Sequence, residues 1–135
     1  MSPSRERLSW GKAAAIAAGL TAVHAALGLI SLGMLMVWVP SFAALFQDMG
    51  ATLPIATQLV LSASYGLQSH WFLWLPPLAM GLLLDFASLT FLARRKGWLP
   101  SLLLGLLEGA VLLALPLLIG ISLYLPIFAM SAAIQ

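Results

Sequence analysis

Three ionisable side chains stand inside stretches that are otherwise apolar: His24, Asp85 and Glu108. His24 follows Lys12, Asp85 precedes Arg94, and Glu108 follows Trp98 by similar intervals. If each stretch is a helix rising ~1.5 Å per residue, all three lie about 14–18 Å from those flanking residues and can share one layer. A carboxylate near the middle of a bilayer costs on the order of 2.5–3.5 kcal/mol on insertion scales, so Asp85 and Glu108 are expected to face protein or water. Two chemistries fit such a layer. One is a proton or cation site. The other is a hydrogen-bonded cluster that fixes how helices pair. No interrupted helix end or further polar residue beside them points to a pathway, which favours pairing.

The other polar residues carry less. His70 stands beside Trp71 with no second ligand at helical spacing, so it reads as a wet boundary residue and no metal site is expected there. Asp48 has no basic neighbour and is expected to solvate a loop or cap a turn. Ser62, Ser64 and Ser69 lack a base at usable spacing, and cysteine is absent, so neither hydrolase nor thiolate chemistry is supported. The chain is therefore expected to be neither an enzyme nor a binder of cofactors.

The elements that must position the polar layer follow from composition. Of 135 residues, 62% are hydrophobic and 7% charged, which marks an integral membrane protein of all-α class. Three transmembrane helices are predicted at about 13–39, 71–93 and 101–125. Residues 1–12 form a polar tail, 40–70 an outer helical loop and 94–100 an inner turn, all around a single membrane domain. The first apolar stretch is too long for a signal-peptide core and has no small-residue cleavage site. Segment 54–69 is too polar for a fourth span. Ala14, Ala18, Ala22 and Ala26 recur at every fourth position, and Gly105 with Gly109 forms a GxxxG pair; both read as close-packing faces, within the chain or between copies. Phe42, Leu45, Phe46 and Met49 have helical spacing and predict a short interfacial helix, stopped by Gly50. Its apolar face is expected to rest on the 54–69 helix through Ile55, Leu59 and Leu61. Pro76 and Pro77 predict a kink in the second span, and Pro116 leaves the carbonyl of Leu112 without its usual donor.

Two segments share one pattern. Val37-Trp38-Val39-Pro40-Ser41-Phe42-Ala43 and Leu123-Tyr124-Leu125-Pro126-Ile127-Phe128-Ala129 both read aliphatic, aromatic, aliphatic, Pro, any residue, Phe, Ala. Proline lacks a backbone N–H and disfavours the helical conformation before it, so both are predicted to be helix stops. Basic residues cluster at Arg5, Arg7 and Lys12 and again at Arg94, Arg95 and Lys96, while 40–69 has none. By the positive-inside tendency the N-terminus and the 94–100 turn face the cytoplasm, and the 40–70 loop and the C-terminus lie outside. Nothing in this distribution forms a nucleic-acid-binding face.

Residues 28–97 resemble the inner-membrane platform protein of type II secretion and type IV pilus machines, the F family. The resemblance rests on Val39-Pro40-x-Phe42, Leu45-Phe46-Gln47-Asp48-Met49-Gly50 and Leu53-Pro54-x-x-Thr57. Trp71-Phe72-x-Trp74 entering the next span and the basic exit Arg94–Lys96 fit as well, and Leu123-Tyr124-Leu125-Pro126-Ile127-Phe128 looks like the family's C-terminal signature. The resemblance implies a three-span topology and an origin by internal duplication. Family members also carry two helical cytoplasmic domains; here residues 1–12 and 94–100 occupy those places, so a grip on a cytoplasmic ATPase is not carried over. Glu108 is not mapped onto the family's glutamate, because its distance to Pro126 is shorter. The expected function is a small scaffold or assembly protein of the bacterial inner membrane. Its expected partners are lipid, other membrane proteins such as pilin-like or secretion components, or further copies of itself. The alternative is an accessory subunit of a transporter or energy-coupling complex that uses Asp85 and Glu108.

Overall fold

The computed structural model describes residues 8–48, 50 and 53–133, and it contains helices and no strand among them. In chain order these are α1 (Trp10–Gly33), a π-helical turn (Met34–Trp38), α2 (Val39–Asp48), α3 (Ile55–Ser69), α4 (Trp71–Lys96) and α5 (Trp98–Ala133). Three stretches are long and apolar enough to cross a membrane: Trp10–Asp48, Trp71–Lys96 and Trp98–Phe128. The chain is thus a multi-pass helical membrane protein. Hydrocarbon offers backbone groups no partners, so continuous helices are the form such sequences must take. At 15 residues α3 is too short to span.

Neither Pro40 nor Pro126 stops its helix, contrary to the sequence expectation. The chain stays helical from Trp10 through the π turn to Asp48, and α5 runs through both Pro116 and Pro126 to Ala133. Ending a helix inside an apolar slab would strand several carbonyls and N–H groups. Keeping it strands about one carbonyl per proline. The remaining breaks are short. Gly50, with φ +59, caps α2 through its N–H on the Gln47 carbonyl. A single residue, His70, separates α3 from α4, and a single residue, Gly97, separates α4 from α5. Gly97 has φ +96, a conformation that side chains disfavour, and its N–H bonds the Ala93 carbonyl.

The chain divides into two compact units. The first comprises the described part of Met1–Leu27 together with Leu75–Leu112. Its interior is made mostly of small residues: Ala13, Ala17, Ala93 and Ser101 are buried, together with the larger Leu89. The Ser101 hydroxyl donates to the Leu89 carbonyl at 3.0 Å, tying the start of α5 to α4. The Arg94 guanidinium lies 3.5 Å from the centre of the Trp10 ring, a cation–π contact at one end of the unit.

The second unit comprises Gly28–Trp74 and Leu113–Gln135. Val39, Phe46, Ile119 and Leu123 form its core, with Phe42, Leu53, Val60, Leu61 and Ile127 packed against them. Phe42 meets Tyr124 edge-on, with ring centres 5.8 Å apart. The α3 helix packs on α2 and the π turn, and two of its hydroxyls reach backbone carbonyls outside the helix. Thr57 donates to the Ser122 carbonyl at 2.6 Å. That carbonyl lies four residues before Pro126, whose missing N–H left it free. Ser64 donates to the Leu35 carbonyl at 2.5 Å. In the π turn Val39 N–H bonds the Met34 carbonyl. The same register would pair Leu35 with residue 40, which is the other proline. Each proline of the repeated pattern thus has its orphaned carbonyl answered from α3.

Candidate functional site

The polar layer assembles within the first unit. On α1, Thr21 and His24 are three residues apart and share a face. The buried positions Ala13 and Ala17 lie along that same face, while Ala18, Ala22 and Ala26 are exposed and Ala14 only half-buried. The predicted alanine stripe is therefore not the packing stripe. The hydrogen bonds of Thr21 and His24 draw the helix round so that neighbouring positions meet α4 and α5.

Asp85, on α4, is the hub. The Thr21 hydroxyl donates to Asp85 Oδ2 at 2.6 Å. His24 Nδ1 lies 3.1 Å from both Oδ1 and Oδ2. The other ring nitrogen, Nε2, lies 2.9 Å from the carbonyl of Gly105 on α5. A carbonyl only accepts, so Nε2 carries a hydrogen and donates it. His24 is 4% exposed and has both nitrogens engaged. Glu108 completes the group from α5: one ligand atom each from His24, Asp85 and Glu108 lie within 4.8 Å of one another. Glu108 Oε2 is buried without a hydrogen-bond partner.

The two glycines of α5 make room for this arrangement. A Cβ on Gly105 would come 2.7 Å from Leu20 Cδ1, and a Cβ on Gly109 would come 3.4 Å from His24 Nε2. The GxxxG pair lets α1 approach α5 closely enough for the imidazole to reach a backbone carbonyl. Thr21 and the Gly105 carbonyl were not singled out from sequence. The spacing of Thr21 to His24 was the available signal for the first; nothing announced the second.

The predicted outer surface is rearranged. Phe46 is buried and Phe42 half-buried, but Leu45 is 45% exposed and Met49 lies outside the described residues. Ile55 and Leu59, expected to oppose Phe46, are 76% and 66% exposed. Leu61, also expected there, does pack against this core, and Leu53 and Val60 take the place of the other two, joined by Ile119, Leu123 and Ile127 of α5. The reason is the rotation of α3 imposed by Thr57 and Ser64, which turns Ile55 and Leu59 outward. His70 is exposed between α3 and α4, where its backbone N–H donates to the Gly66 carbonyl and its own carbonyl accepts from the Leu73 N–H. Comparison of the chain with protein-family models, with curated proteins and with solved structures returned no match.

Proposed function

We propose that this protein is a small scaffold or assembly protein of the bacterial cytoplasmic membrane, related to the membrane part of the secretion and pilus platform family. One observation carries the scaffold reading. Every residue from Trp71 to Leu84 is exposed, although the segment is one continuous run of α4. Most membrane helices bury at least one face in their own bundle. This one leaves Trp71, Trp74, Leu75, Leu78 and Leu83 accessible around the helix. In a membrane such a surface meets lipid or other membrane helices, and assembly there relies on packing rather than on the hydrophobic effect. Pro76 and Pro77 give it a distinctive shape, since the carbonyls of Phe72 and Leu73 lose their helical donors. The proline-containing patterns quoted above support the family reading.

Site-specific photocrosslinking tests this. A photoreactive residue at Leu75 or Leu83 in growing cells is expected to form adducts with pilin-like or secretion membrane components. Adducts with lipid alone at both positions would reject the scaffold function.

A further inference from the structure

The layer of His24, Asp85 and Glu108 does more than fasten three helices. A purely structural cluster would leave each buried polar atom with a partner. Here Thr21 and His24 serve Asp85, yet Glu108 Oε2 is buried and unpartnered beside them. With the hydrogen of a neutral His24 on Nε2, Nδ1 turns a lone pair, not a proton, toward the two acids. Among the described residues the guanidinium groups are engaged by aromatic rings: Arg94 lies over Trp10 and Arg95 over Phe91. Two carboxylates beside an imidazole, at mid-membrane depth, are balanced either by a proton shared between them or by a cation, and among the described residues no lysine or arginine pairs with them.

We propose that His24 Nδ1, Asp85 Oδ1 and Glu108 Oε2 bind one divalent first-row transition-metal cation. The chemistry of the donors selects this class. One imidazole nitrogen and two carboxylate oxygens suit manganese, iron, cobalt or zinc, whereas magnesium and calcium prefer oxygen alone. A doubly charged cation balances two carboxylates against a neutral imidazole. The surroundings match the way metal ligands are usually held. The Gly105 carbonyl takes the Nε2 hydrogen, which turns the Nδ1 lone pair toward the acids. The Thr21 hydroxyl occupies Asp85 Oδ2, which leaves Oδ1 available. One ligand atom from each residue lies within 4.8 Å of the others, and the side chains would draw in by up to about 1.4 Å to reach the ~3.4 Å separations that tetrahedral bonds of ~2.0–2.2 Å require. Three protein ligands leave a further position for water. The inference stands independently of the scaffold reading.

Metal binding by the full-length protein in detergent micelles tests it. The protein is stripped with a chelator, dialysed against micromolar Zn²⁺ or Co²⁺, and assayed for metal per chain and for the visible absorption of bound Co²⁺. The expected result is one ion per chain, with a Co²⁺ spectrum showing mixed nitrogen and oxygen ligation and a raised thermal midpoint. Glu108→Gln keeps the size and hydrogen bonding of the side chain but loses the charged ligand, and should weaken binding at least about tenfold. His70→Gln and Asp48→Asn lie outside the cluster and should bind as the parent does. Less than one-tenth of an ion per chain in the parent protein would overturn the proposal. So would unchanged binding in Glu108→Gln, or loss of binding in His70→Gln. The measurement on the unaltered protein decides the matter even if a variant fails to fold.

Discussion

Thr57 shows how one hydroxyl can decide where a helix ends. Its bond to the Ser122 carbonyl occupies an acceptor that Pro126 set free. Thr57→Val keeps the shape of the side chain and removes the donor. It should lower stability by about 1–3 kcal/mol, the usual cost of leaving a buried polar group unpaired. The loss should shrink when Pro126→Ala is added, because alanine returns an N–H to the same carbonyl. Thermal unfolding of the four proteins in one detergent gives the coupling directly. Equal losses from Thr57→Val in both backgrounds would mean that the hydroxyl is not answering the proline. At this scale the ionisable layer was readable in the sequence, because depth along a helix can be counted. The hydroxyls were not. A threonine or serine among alanines and leucines has no periodicity of its own, and its partner is a carbonyl that every residue possesses.

Among the elements, α2 was visible as an amphipathic segment and α3 as a helix too polar to span, but their mutual orientation was not. Apolar residues recur on more than one side of α3, so pattern alone offers several faces. The buried hydroxyls Thr57 and Ser64 choose between them. The repeated prolines misled for a related reason. A helix-stop rule drawn from water assumes that freed backbone groups can be hydrated; in an apolar environment, continuing the helix and supplying one donor is the cheaper course. The packing assigned to α2 has a direct test. Phe46 is 2% exposed, so Phe46→Ser should cost roughly 3–5 kcal/mol, as for other buried aromatics. Leu45 is 45% exposed, and Leu45→Ser should leave the thermal midpoint in detergent nearly unchanged. Similar losses from both would show that the α2 face lies differently.

For the whole molecule, length and hydrophobicity were sufficient to reveal three membrane-competent helices, while their sidedness rests on the distribution of basic residues. The absence of cysteine in the sequence makes sidedness simple to measure. Both Arg95 and Ser69 are exposed, so single cysteines there report on accessibility rather than burial. In intact cells Ser69→Cys should react with a membrane-impermeant thiol reagent, and Arg95→Cys should react only after the membrane is opened. The reverse pattern would invert the orientation.

The reliance of both prolines on α3 also sets an order for biosynthesis. The chain is made from its N-terminus, so Pro40 enters the membrane before α3 exists. The carbonyl of Leu35 must then wait for Ser64, 29 residues downstream. At the other end Thr57 precedes Ser122 by 65 residues, so its hydroxyl is already in place when Pro126 emerges. The first helix inserts with an open acceptor, and the last closes onto a donor that has been waiting for it.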